Sequence, residues 1–195
     1  LNVSNFLPLR AVRGQVSMAP ASAYSTALKA VICHDGYISP LLCSGRHCIG
    51  ATFQPDNESV IEEAGDHANN QHTLRQHLPA LAESLEPVST WSGRASIRCQ
   101  SPDYLPLVGP LADMSVFRDD YAGLRHGRVQ DYPRLKTLAG LYVNLAHGSK
   151  GFSQSLLCAE VLAAEICNEP APVSRETLNA LHPMRFAARD LKRGK

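Results

Sequence analysis

In the N-terminal half, apolar residues come in short runs, each closed by turn-forming residues. Residues 30–33 (Ala-Val-Ile-Cys) end at His34-Asp35-Gly36, residues 37–42 resume an extended pattern, and residues 47–53 follow Ser44-Gly45. Residues 7–18 read as a lead-in loop running into a strand, with Arg10 and Arg13 ahead of Gly14. Runs this short at this spacing predict an antiparallel meander. Asp56, Asn57, Glu58 and Ser59 then offer N-cap chemistry to a helix predicted over 60–78. Pro79 and Pro87 bracket a short second helical piece, and residues 90–99, with Trp91, Gly93, Arg94 and Arg98, read as another strand. A proline-rich bend covers 103–110. Residues 112–137 carry Arg118, Asp119, Asp120, Arg125, His126 and Arg128 without a clean period and predict a surface excursion.

The pattern changes between 141 and 167. Leu141, Tyr142, Val143 and Leu145 form an apolar run of strand type, and Gly148 and Gly151 flank Ser149 and Lys150 in a tight turn. From Ser153 the period becomes helical, with Leu157, Val161 and Ala164 predicted on one face and a stop near Asn168, just before Pro170. A helix start of this kind presents free N–H groups and a partial positive charge, which suits an anion or an electron-rich heterocycle edge. The tail beyond Pro170 reads as irregular or weakly helical.

Composition narrows the class. A chain of 195 residues with 44% hydrophobic and 19% charged residues is globular. A net charge of +1 exerts no global pull toward nucleic acid or membrane. The tail is locally basic, however: Arg185, Arg189, Lys192, Arg193 and Lys195 stand against the single acid Asp190. No apolar run approaches the length that spans a bilayer, and no signal-peptide pattern is present. The six cysteines show no C-x-x-C spacing, which points to a reducing, cytoplasmic setting. The start at Leu1 without Met suggests a chain cut from something longer.

Few residues offer chemistry on spacing alone. His67, His72 and His77 lie five apart and spread around a helix, and no metal site is expected. Cys33-His34 and His47-Cys48 are adjacent pairs that face opposite sides of a strand, with no third group to orient a nucleophile. No Gly-x-Gly-x-x-Gly follows a strand. Arg98, at a strand end, has the fork geometry that holds a carboxylate through two parallel hydrogen bonds; a surface salt bridge is its alternative. Lys150 places a cation in the glycine turn, or is simply a solvent-exposed turn lysine.

Three segments together resemble the D-amino-acid-oxidase-like FAD oxidoreductases. Residues 7–16 (Leu-Pro-Leu-Arg-Ala-Val-Arg-Gly-Gln-Val) resemble the segment that leaves that family's cofactor domain. Residues 91–110, with Arg98, Pro102-Asp103 and Leu105-Pro-Leu-Val-Gly-Pro, resemble its strand and bend carrying a substrate-binding arginine. Residues 140–165, with His147-Gly-Ser-Lys-Gly, resemble its closing strand, loop and helix over the flavin. Asp35-Gly-Tyr-Ile-Ser-Pro, His47-Cys-Ile-Gly-Ala-Thr-Phe, Asn57-Glu-Ser and Asn179-Ala-Leu-His-Pro-Met-Arg are similar to the branch of the family that modifies the tRNA wobble uridine. The likeness covers nearly the whole chain, most weakly 112–137.

The resemblance implies an α+β fold: a mainly antiparallel substrate-binding sheet with flanking helices over 1–137, and the last strand and helix of an FAD-binding α/β domain, with the basic tail, over 138–195. It implies FAD, largely bound by a half of the domain absent from this chain, with Gly148, Ser149, Lys150, Gly151 and Phe152 as its contacts here. Arg98, Tyr37 and Lys150 would face the substrate, and no catalytic residue is assigned. Lys150 stands where the family pattern has arginine, which keeps the charge and loses the flat fork. The activity implied is oxidative removal of the carboxymethyl group from 5-carboxymethylaminomethyl(-2-thio)uridine in tRNA. On that resemblance the flavin would accept hydride, leaving an imine that water hydrolyses with release of glyoxylate. Implied partners are tRNA, through the basic tail, and an N-terminal methyltransferase module that uses S-adenosylmethionine. A fragment that has lost its neighbouring strands would expose apolar helix surface, which favours a homodimer. Two alternatives stay open: a glycine- or sarcosine-type small-molecule amine oxidase, and a non-catalytic carboxylate- or tRNA-binding module.

Overall fold

The computed structural model describes residues 2–194 apart from Val129; Lys195 of the basic tail lies outside the described residues. The chain divides into two compact units, 11–98 and 1–10 with 99–195. Among the described residues the strands pair antiparallel in Arg10–Pro20 with Arg46–Gly50 and with Gln54–Pro55, Tyr37–Ile38 with Ile32–Cys33 and with Arg46–Gly50, and Leu107–Ala112 with Thr137–Leu145.

The first unit is built around β1 (Arg10–Pro20). Along one edge of β1 run β4 (Arg46–Gly50) and β5 (Gln54–Pro55), with Ser17 opposite Ile49 and Val12 opposite Pro55. These registers differ by one residue, so the partner strand bulges between them. β2 (Ile32–Cys33) and β3 (Tyr37–Ile38) extend the sheet beyond β4, and β6 (Ser92–Gln100) also pairs with β1.

The alternation along β1 is inverted relative to a simple amphipathic strand. Arg13, Gln15 and Ser17 are fully buried, whereas Val16 and Met18 are half-buried. The polar side is covered by α1 (Ala64–His77), whose inward residues Asp66, His67 and Asn70 are polar as well. Arg13 pairs with Asp66 and donates to Gln15 Oε1 (3.0 Å), Gln54 Oε1 (3.2 Å) and the Ile61 carbonyl (2.6 Å). Ser17 Oγ lies 2.7 Å from His67 Nδ1 and accepts from Asn70 Nδ2 at 2.9 Å. His67 Nε2 meets Glu62 Oε1 at 2.8 Å. A serine, a histidine and a carboxylate are thus aligned, but Ser17 has no exposure and serves as a strap, not a nucleophile. One turn further along α1, Leu74 joins an apolar core with Ala19, Ile38, Ile49 and Trp91, completed by Leu81 and Ala82 of α2 (Pro79–Ser84).

The predicted helix 60–78 is therefore shorter, beginning at Ala64. Gln15 takes both the Glu63 N–H and the Glu63 carbonyl at 2.8 Å, and Arg13 takes the Ile61 carbonyl. Asn57 meanwhile caps the Ser59 N–H at 2.9 Å. With their backbone groups bound in this way, 60–63 stay outside the helix, and the N-cap residue Glu63 is extended.

In the second unit, β7 (Leu107–Ala112) is buried along its whole length and pairs with β8 (Thr137–Leu145). Residues 99–137 fall in the same compact unit as 138–194, with β7 paired to β8. α4 (Gly151–Cys167) packs Cys158 and Val161 on Val108 of β7, and ends at Asn168 in the left-handed conformation. Its buried face is Cys158, Val161 and Ala164; Leu157 is 49% exposed and lies off that face, contrary to the sequence reading. Phe152, Leu156 and Ile166 are also exposed. The excursion at 112–137 contains α3 (Met114–Asp120), capped by Asp113, and a 3-10 turn at 122–126. Beyond Pro170 stand two further helices, α5 (Arg175–Leu181) and α6 (Arg185–Lys192). Phe117, Met184 and Leu191 bury together, which gives both segments the partner that their periodicity did not reveal.

Candidate functional site

Because side chains alternate across a strand, the face opposite α1 carries Gly14, Val16 and Met18 of β1. Register places Cys48 opposite Met18, and Gly50 opposite Tyr37, on this same face. Arg98, near the end of β6, joins them: its guanidinium fills the space where a side chain on Gly14 would stand. Val16, Met18, Tyr37, Cys48 and Arg98 are all half-buried, so the face is open within its unit.

Arg98 makes no ion pair or hydrogen bond among the described residues, and its Nη1 is buried without a partner. The surface salt bridge is thus absent. A buried guanidinium N–H without an acceptor is costly unless a ligand supplies one. Beside it, the Tyr37 hydroxyl is 3.7 Å from Cys48 Sγ. Burial first, then the hydrogen bond and charge of Cys48, push the Tyr37 phenol up to about 12 against the opposing charge of Arg98. Tyr37 is therefore a neutral O–H donor across the physiological range. A permanent cation and a neutral hydroxyl on one face are donors of the kind that a carboxylate accepts from.

The second set of predicted residues lies in the other unit. Gly148, Ser149 and Lys150 form a 3-10 turn that runs directly into α4 at Gly151. Gly148 is left-handed at φ 54°, and a Cβ there would stand 3.0 Å from Gln100 Nε2, so both backbone and space call for glycine. Lys150 and Phe152 are exposed; the Lys150 N–H is bound to the His147 carbonyl at 3.0 Å, and no side chain caps the start of α4. Burial pushes the His147 imidazole down, so it is neutral. Its Nε2–H donates to Asn144 Oδ1 at 2.9 Å, leaving Nδ1 as a buried acceptor without a partner. Gln154 Oε1 is a second such acceptor. A helix start without a side-chain cap beside orphaned acceptors suits a ring edge that presents both carbonyl oxygens and an N–H, as the pyrimidine side of a flavin does. The residues present fit the group.

Sequence reading missed four contributors: Gly14, Cys48, His147 and Gln154. Only Gly14 carries a signal, since a glycine inside a strand often marks a close approach of another group. Among the described residues no cluster is suited to a metal ion, and no helix is long and apolar enough to cross a membrane.

The sequence profile described as FAD dependent oxidoreductase matches residues 2–165. The bifunctional protein MnmC of tRNA 5-methylaminomethyl-2-thiouridine biosynthesis from Pseudomonas paraeruginosa is 44% identical over 193 residues, covering 96% of this chain. The protein of the same name from Chromobacterium violaceum is 43% identical over 192 residues. The chain spans 29% of the length of each. Among solved structures, glycine oxidase from Geobacillus kaustophilus superposes with a TM-score of 0.65 at 23% identity, over 92% of this chain and 40% of that one. Iminodiacetate oxidase from Chelativorans sp. BNC1 gives 0.57 at 19% identity, over 91% and 40%. These two show a shared fold.

Proposed function

The chain belongs to the FAD-dependent oxidoreductase family, and from that premise we propose that it supplies the substrate-binding sheet and the flavin-facing turn of a tRNA-modifying enzyme. That enzyme oxidatively removes the carboxymethyl group from 5-carboxymethylaminomethyl(-2-thio)uridine at the wobble position. The observation that carries the chemistry is Arg98, with a buried Nη1 lacking an acceptor on the same open face as the neutral Tyr37 hydroxyl. The substrate group is an N-substituted glycine, a secondary amine one carbon from a carboxylate. Arg98 binds that carboxylate and Tyr37 donates to it, which holds the carbon to be oxidised at a fixed distance from the clamp. Gly148, Ser149, Lys150, Gly151 and Phe152 would hold the flavin's pyrimidine edge, with Lys150 adding positive charge. When bound, FAD supplies the two-electron acceptor for the carbon–nitrogen bond. The choice of tRNA over a free amino acid rests on the relatives named for tRNA 5-methylaminomethyl-2-thiouridine biosynthesis.

Engagement of tRNA changes shape from the sequence expectation. Arg185 is removed from the basic tail as a phosphate contact: it donates to both oxygens of Asp103 (2.8 and 2.9 Å) and to the carbonyls of Leu105 and Pro106. Arg189, Lys192 and Arg193 remain exposed. Beside α6, Arg118, Arg125 and His126 line a cleft of about 280 Å³ in which Asp119 is the only acid. These six residues form the basic surface offered to the tRNA backbone. The methyltransferase partner module, a cytoplasmic setting and a homodimer through the exposed face of α4 belong to the same reading.

The test is nucleoside analysis of tRNA from cells lacking the gene. Accumulation of the carboxymethylaminomethyl nucleoside, cleared by the intact gene but not by an Arg98→Met copy, is the expected result. Unchanged tRNA together with retained oxidation of glycine or sarcosine would place the enzyme among small-molecule amine oxidases. Unchanged tRNA with no flavin bound would leave a carboxylate- or tRNA-binding module.

A further inference from the structure

Gly14 occupies the middle of an 11-residue strand, where glycine weakens pairing and offers nothing to pack. Its backbone is ordinary extended chain, so its φ does not require glycine. The space above it does. A Cβ on Gly14 would lie 2.5 Å from Arg98 Cζ and 2.6 Å from Nη2, with Nη1 closer still. The end of the guanidinium therefore occupies the space that a side chain on residue 14 would fill. Its Nη1 has no hydrogen-bond partner there, so the close approach to bare backbone is the contact left to hold it.

We propose that Gly14 is a positioning residue for the carboxylate clamp: its missing side chain is the seat that fixes the plane of the Arg98 guanidinium. This rests on the reading of Arg98 as the carboxylate receptor. A fork that must deliver two parallel hydrogen bonds depends on the orientation of its plane, whereas a point charge does not. Any side chain at position 14 lifts the guanidinium off the strand and turns its donating edge. The colliding group is the far end of a flexible side chain, so Arg98 swings aside and the fold stays intact.

The test uses the flavin-loaded protein at the full length its gene encodes. The probes are N-acetylglycine, which carries the carboxylate, and N-acetylglycinamide, which does not. Gly14→Ala is expected to weaken N-acetylglycine binding about tenfold to a hundredfold, as loss of charge-assisted hydrogen bonds does. N-acetylglycinamide binding and the thermal midpoint should hold steady, and in turnover KM should rise far more than kcat falls. In an Arg98→Ala background, Gly14→Ala should cause no further loss. Unchanged N-acetylglycine affinity in Gly14→Ala, alongside a loss in Arg98→Ala, would overturn the seat and leave the clamp standing. Unchanged affinity in Arg98→Ala would overturn the clamp itself. If Gly14→Ala fails to fold, folding restored in the double variant supports the contact, and folding still lost refutes it.

Discussion

Arg13 is a fully buried cation on the axis strand of its unit, and its charge is balanced chiefly by Asp66, whose side chain is 6% exposed. Asp66→Ala leaves the guanidinium in place with only neutral acceptors near it: Gln15 Oε1, Gln54 Oε1 and the Ile61 carbonyl. Glu63 lies 3.6 Å away but is half exposed and helps little. Removing one partner of a buried pair typically costs about 3–5 kcal/mol, because the remaining charge keeps its desolvation penalty. The neutral acceptors here place the expectation toward the lower end, about 3 kcal/mol. Replacing both partners with apolar residues, Arg13→Met with Asp66→Leu, removes the penalty together with the attraction and should cost about 1 kcal/mol or less. Urea unfolding followed by Trp91 fluorescence measures this directly. Trp91 is the only tryptophan of the sequence and shares a core with Leu74 of α1. With a slope of about 1–3 kcal/mol per molar urea, the midpoint of Asp66→Ala should fall by about 1–3 M. A loss below about 1 kcal/mol in Asp66→Ala, or a double variant as unstable as the single, would refute this account of the buried network.

Other consequences follow from the second unit and the basic surface. Burial disfavours ionisation of Asp103, but hydrogen bonds from Arg185, the Leu105 N–H and Ser101, with the Arg185 charge, outweigh it and hold the carboxyl down at about 2. That stabilisation is fully present above about pH 4, where the unfolded carboxyl is ionised, and is lost as pH falls through about 2. With the side chain 35% exposed, it amounts to about 1 kcal/mol, and Asp103→Asn should flatten the acid limb of a stability–pH curve. Gly148→Ala forces a side chain into the left-handed region and against Gln100, so it should cost about 1–2 kcal/mol. It should also lower the flavin retained after desalting, read by absorbance; full retention would separate this turn from the cofactor. Charge reversal of Arg125 and Arg189 should weaken tRNA binding and reduce its salt slope by about 0.7–0.9 per lost phosphate contact. Reversal of Arg118 and Lys192 should act in the same direction, and an unchanged slope would take these residues off the tRNA path.

The sequence by itself determined the local elements wherever neighbouring residues supply the reason. Short apolar runs closed by glycine, proline and aspartate produced the antiparallel meander, and the glycine pair with a helical period beyond it produced the turn and α4. Arg98 at a strand end was legible because its chemistry does not depend on what surrounds it. Tertiary structure decided what depends on a distant partner. Alternation along β1 showed which residues share a side, but not that the polar side would be the buried one; that required Asp66, His67 and Asn70 to arrive from α1. The start of α1 moved to Ala64 because Gln15 and Arg13, some fifty positions away, bind the backbone of 61–63. The helices after Pro170 and within 112–137 needed each other's apolar residues. Arg185 left the exposed basic tail because Asp103, 82 positions earlier, binds it. And Gly14, which reads as a weak point in a strand, becomes a seat only when Arg98 lies on it, since spacing along a chain carries no record of which backbone a side chain will touch.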